Sequence, residues 1–200
     1  MRTIMTSLAI IGVLAGCTAA EDTPPEESVT ADEPVIDDAS QQPLAAEGWG
    51  PLLIGMTRDE VTAAVGDKAD PNAMGGPEPE FCDEYEPAET PAGLYVMIEQ
   101  GQLARISLGE GTEVRTPEGL TVGDSADAVR EAYGDAVQAM PHTYVAAPGE
   151  YLTVWSTGEV GENGTSDENA RGIRYEIGED GMVQTIHAGG PAIQYVEGCL

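Results

Sequence analysis

The side chains able to do covalent or acid–base chemistry are few in kind. The chain of 200 residues has three cysteines, two histidines, and 36 Asp plus Glu against 8 Lys plus Arg, a formal net charge of −28. Cys82 and Cys199 lie in the body of the chain. An even pair in an oxidising compartment predicts one disulfide that pins the C-terminal strand to the first half. Nucleophilic catalysis needs a base beside its nucleophile. His142 follows Pro141 at an expected strand start, His187 lies late in a strand, and there is no Gly-x-Ser-x-Gly elbow, so both histidines are read as surface side chains. Paired carboxylates suit glycoside hydrolysis, but a chain this acidic places close pairs somewhere whatever it does. Glu159, Glu162, Asn163, Asp167, Glu168 and Asn169 crowd a Gly-containing loop with the oxygen types that Ca²⁺ takes. Their spacing is not that of an EF-hand, so a solvated hairpin loop is expected. No Gly-x-x-x-x-Gly-Lys occurs, and the single lysine is Lys68. No catalytic residue, metal ligand or cofactor is assigned.

The charge excludes further classes. So acidic a chain repels phosphate backbones, which argues against nucleic acid, and it lacks the basic patch that draws proteins to anionic lipid.

The first seventeen residues argue for a location. Arg2 opens a short apolar run, Ile4 to Ala15, well under the roughly 20 residues of a spanning helix. It ends Leu14-Ala15-Gly16-Cys17, which resembles the bacterial lipobox. The resemblance implies that residues 1–16 are a cleaved signal and that Cys17 is lipidated, a stable membrane anchor when several chains are attached. Thr18, where an Asp would favour inner-membrane retention, implies a periplasm-facing protein of the cell envelope, at the outer membrane rather than the inner. Residues 17–46 then form a tether. It carries eight acids, no Lys or Arg, and Pro24, Pro25, Pro34 and Pro43, a composition that favours extended, solvated chain. With Arg2 in the leader and eight acids in the tether, 28 acids and 7 bases remain for residues 47–200. The acidity belongs to the folded part and points to a cationic partner, or to one that docks on the few Arg-bearing strands.

The folded part repeats. Gly55 to Asp67 aligns with Gly123 to Asp135 at an offset of 68, with six of thirteen positions identical. Thr57 and Glu60 predict a capping box; Ser125 caps the second copy, but Ala128 stands in place of the acid. Gly66 and Gly134 fall where a glycine ends a helix. Such short helices need a sheet to pack on. Gly93 to Gly109 and Gly172 to Gly189 supply it: each reads as two alternating strands about a Gly-containing turn. Further strands are expected at 81–85, 142–146, 151–156 and 192–196. The fold class is therefore α+β: a tandem repeat, residues 47–118 and 119–200, of short helix plus antiparallel β-meander, helices on one sheet face.

The motif Gly-x-Thr/Ser-x-x-Asp/Glu-Val-x-x-x-apolar-Gly, present twice before a meander, resembles the β-lactamase-inhibitor-protein-like fold. The SmpA/OmlA outer-membrane assembly lipoproteins share this unit. Asp67 and Asp135 depart from the Pro that often follows the Gly there. The resemblance implies protein binding through a concave sheet, without chemistry.

Alternation places Leu94, Val96 and Ile98 toward the helices, and Tyr95 and Met97 on the opposite, open face. The repeat adds Arg105, Arg174, Glu176, Thr185 and His187 to that face, and Tyr151, Thr153 and Trp155 are assigned to it. Tyr95, Arg105, Tyr151, Trp155, Arg174 and His187 form the candidate binding face, rich in the residue types of interaction hot spots. The expected function is a monomeric, lipid-anchored envelope protein that binds another, cationic protein, inhibitor-like or as an envelope-assembly accessory. The opposing readings are a periplasmic hydrolase using paired carboxylates and a Ca²⁺-stabilised structural module.

Overall fold

The computed structural model describes residues 42–200; Cys17 and most of the tether lie outside them. Nine strands are present among the described residues: β1 (Gly48–Trp49), β2 (Leu52–Leu53), β3 (Cys82–Tyr85), β4 (Leu94–Glu99), β5 (Gln102–Leu108), β6 (Gln138–Pro141), β7 (Glu150–Thr157), β8 (Arg171–Ile177) and β9 (Val183–Gly189). The helices are α1 (Arg58–Val65) and α2 (Ala126–Tyr133). The fold is mostly antiparallel sheet with two short helices. β1 and β2 form a small ribbon, and the other seven strands make one continuous sheet in the order β3-β4-β5-β9-β8-β7-β6. All its pairings are antiparallel.

Local chemistry explains the elements. β4 and β5 are joined by Gln100-Gly101, both at positive φ (50° and 82°), the two-residue turn whose twist suits a hairpin. In α1 the hydroxyl of Thr57 accepts from the Glu60 amide at 3.3 Å while the Glu60 carboxylate accepts from the Thr57 amide at 2.8 Å, the full capping box. Ser125 makes only the first of these bonds, to the Ala128 amide at 3.2 Å. Gly66 and Gly134 follow the helices at φ 78° and 53°.

One sheet face carries the core. Leu94, Val96, Ile98, Ile106, Leu108, Leu152, Ile173, Tyr175, Ile177, Ile186 and Ala188 form one apolar cluster, which Val61 and Val65 of α1 and Val129 of α2 join. Leu44 and Ala46 are buried in it too, so packed chain begins upstream of the expected boundary at Glu47.

Two strand expectations are corrected. Residues 142–146 are loop, and the outermost strand is Gln138–Pro141 instead. Pro141 has no amide to donate, and an edge strand tolerates that. Residues 192–196 do not form a strand. Pro191 opens a 3₁₀ turn, Pro191–Gln194, after Gly189 and Gly190, and the chain leaves the ladder to run across the sheet.

Candidate interaction surface

Strand register brings the predicted face together. Tyr95 pairs with Ser107, Ser107 with His187, His187 with Arg174, and Arg174 with Thr153, one row across the sheet. Trp155 and Arg105 lie in the row to one side, Tyr151 and Glu176 in the row to the other. All six candidates thus share the face opposite the apolar cluster.

That face is not open, which corrects the expectation. The chain after Gly189 straps it. Arg105, 3 % exposed, donates Nη1 to the carbonyls of Ala192 (3.3 Å) and Tyr195 (3.4 Å) and Nη2 to Glu84 (2.8 Å). Arg174 donates Nη1 to the carbonyl of Ile193 at 3.1 Å. Met97 is buried against Ala192 and Cys199. Cys199 is bonded to Cys82, as the cysteine count predicts, and this fixes the far end of the strap. Tyr151 is buried with its ring stacked on His142 (centroids 4.5 Å apart) and lies 3.6 Å beneath the Arg174 guanidinium. Trp155 is half-buried, and Tyr95 is the exposed member of the six.

The two histidines meet over one carboxylate, so neither is the free surface side chain expected. His142 Nδ1 accepts from the amides of Tyr144 (3.0 Å) and Val145 (3.1 Å), so its proton is on Nε2, which donates to Glu176 at 2.8 Å. His187 pairs its Nδ1 with the Ser107 hydroxyl at 2.8 Å and holds Nε2 3.7 Å from Glu176, outside hydrogen-bond range. Burial, reinforced by Arg105, depresses His187 to about 4. The imidazole of His187, and against the cost of burial that of His142, hold Glu176 at about 2. Ser, His and Glu in a row suggest a relay, yet Ser107 and His187 are both buried. The hydroxyl pairs with the ring beneath the strap.

In the acidic loop at 159–169, Asp167 is tied into the loop backbone. The carboxylate of Asp167 accepts from the amides of Glu159 and Asn169, both at 2.9 Å, which lowers its pKa. Among the described residues no group of three or more His, Cys, Asp or Glu is placed to hold a metal ion.

The strap creates a surface that residue reading missed. A cleft of about 670 Å³ runs beside the disulfide, lined by Phe81, Tyr144, Tyr195, Val196 and Leu200. Phe81 is 64 %, Tyr144 66 % and Leu200 86 % exposed. Glu78, Glu99 and Glu197 are its charged residues, and no Lys or Arg lines it. Glu99 accepts from the Tyr195 hydroxyl at 3.0 Å, and Glu197 from that of Tyr144. A signal for this cleft was present: Phe81 precedes Cys82 and Leu200 follows Cys199, so the predicted bridge already brings them together.

Among the described residues no helix is long and apolar enough to cross a membrane. No family model and no curated protein matches the chain. Among solved structures, a DUF4309 family protein (YjgB) from Bacillus subtilis subsp. subtilis str. 168 is similar at 11 % identity and a TM-score of 0.42, over 76 % of this chain and 90 % of that one.

Proposed function

We propose that this is a lipid-anchored protein of the cell envelope, tethered through Cys17 and facing the periplasm at the outer membrane, whose folded part binds another protein without catalysis. The observation that carries the reading is the cleft beside the disulfide. Aromatic and apolar side chains, unusually exposed, line a depression whose only charges are negative. Exposed apolar area rimmed by one sign of charge is the pattern of an interaction site, and charge complementarity selects the occupant: a segment of a partner protein with Lys or Arg beside apolar residues.

The repeat reading adds to this. We infer two copies of helix plus meander, as in the inhibitor-like fold the sequence resembles. Ser107 and His187, equivalent in the alignment, are direct partners in the β5–β9 pairing. A local two-fold between them, with β3-β4-β5 mirrored by β9-β8-β7, is what two fused copies produce.

The test is photo-crosslinking from position 144 in native membranes, with the captured segment identified. A basic, partly apolar segment is expected, with capture weakened by salt and lost in Phe81→Ala and Leu200→Ala variants that keep the wild-type fold. An acidic segment, or capture indifferent to both variants, would overturn the reading.

A further inference from the structure

A second cavity on the strapped face is lined by a buried cation that makes no ion pair. Six ion pairs occur among the described residues, and Arg174 is in none of them. Its Nη1 is spent on the Ile193 carbonyl, while its Nε is sealed from solvent without a partner. The residue is 5 % exposed. Glu176, the neighbouring acid on the same face, hydrogen-bonds His142 and acts on the guanidinium only through space, while the Tyr151 ring lies 3.6 Å beneath it. The indole Nε1 of Trp155 is likewise sealed and unpartnered. Both residues line one cavity of about 170 Å³, with Gln138, Thr143, Asn163 and Gln194. In a chain with 36 acids, not one Asp or Glu lines it. A buried guanidinium without a contacting acid is costly, and buried donors without acceptors add to that cost.

We propose that this cavity binds a carboxylate. The Nη2 of Arg174 makes no hydrogen bond to the described protein; its Nε, unpartnered beneath the packing around it, completes the two parallel donors of a bidentate carboxylate clamp once that packing shifts. Trp155 Nε1, sealed in the same way, supplies a third donor on the same shift; Gln138, Asn163 and Thr143 suit a polar head, the Gln194 amide being spent on Thr165 and Pro191. A single cation balances a single negative charge. The volume is below the roughly 300 Å³ of an ordinary ligand pocket, so the ligand is a small organic acid or the C-terminal residue of a peptide. The site is distinct from the acid-rimmed cleft, and its ligand has the opposite charge.

The test titrates the full, ¹⁵N-labelled chain with acetate, with trialanine, and with trialanine amide, against sodium chloride at matched ionic strength. Saturable shifts of the Trp155 indole and Arg174 Nε resonances are expected with a carboxylate and not with the amide or chloride. Saturation by acetate alone assigns a small free acid; tighter saturation by trialanine assigns a peptide terminus. Arg174→Gln is expected to raise the half-saturation concentration about tenfold or more. Because Arg174 also holds the strap, Trp155→Phe is the second variant: it keeps the guanidinium and is expected to weaken binding about three- to tenfold. No saturable shift with either carboxylate, or affinity unchanged in folded Trp155→Phe, would overturn the proposal.

Discussion

His187 ties the hydrogen-bond row of the sheet to pH. Burial and Arg105 hold its folded pKa at about 4, below the ordinary value near 6.5. Below about pH 6.5 the unfolded chain therefore binds the proton that the folded chain refuses. The sign follows: this contribution to stability is complete above about pH 6.5 and is lost as pH falls through 4. Glu176, held at about 2, adds a further loss from its ordinary value downward. Replacing His187 by Gln keeps a partner for Ser107 and removes the titration. Urea unfolding at about pH 7 and about pH 4.5 is expected to show a flatter pH dependence in this variant, the His187 part being on the order of 2 kcal/mol. Equal pH dependence in the two proteins would contradict this account.

At the scale of elements, the helix caps were legible residue by residue because a cap is a contact over three positions. Thr57 and Glu60 close both capping bonds. Ala128 cannot complete the second box, and its place in the fold gives the reason: it packs on the apolar cluster, where a carboxylate would be desolvated. Thr57→Ala is expected to cost about 1 to 2 kcal/mol and Ser125→Ala about 1 kcal/mol or less, read as shifts in the urea midpoint at constant slope. A larger loss for Ser125→Ala would mean that α2 relies on its cap more than on Val129. The two strand expectations that failed, at 142–146 and 192–196, have β-type composition. Composition says nothing of whether a neighbouring strand has an edge to offer, and at 192 the preceding Gly-Gly-Pro takes the chain off the ladder.

For the whole molecule, the disulfide spans 117 residues and closes the sheet face by fixing the strap that Arg105 and Arg174 hold from below. Chain-entropy arithmetic for a loop of this length gives about 5 kcal/mol. Reduction is expected to lower urea stability by a large part of that. It is also expected to speed amide exchange at Met97, Ala192 and Ile193 ahead of Val61 and Ile106, because the strap opens before the core. Uniform exchange across both groups would show that the strap holds without the bridge. The acid-rimmed cleft is expected to lose its shape in the same experiment, since Phe81 and Leu200 flank the bridged cysteines.

The sequence by itself determined which residues alternate to which side of the sheet, where the helices begin and end, and which cysteines pair. Each is a local rule: period two along a strand, three residues across a cap, an even count of thiols. Only the tertiary structure decided that the two meanders merge into one seven-stranded sheet and that the face bearing Arg105, Tyr151, Arg174 and His187 is covered. Exposure of a sheet face is not a property of its strands. It depends on a segment distant in sequence, here residues 190–200, whose path follows from backbone geometry at Gly189 to Pro191 and from the bond at Cys199. The same crossing that buried the expected surface made the cleft and the Arg174 cavity.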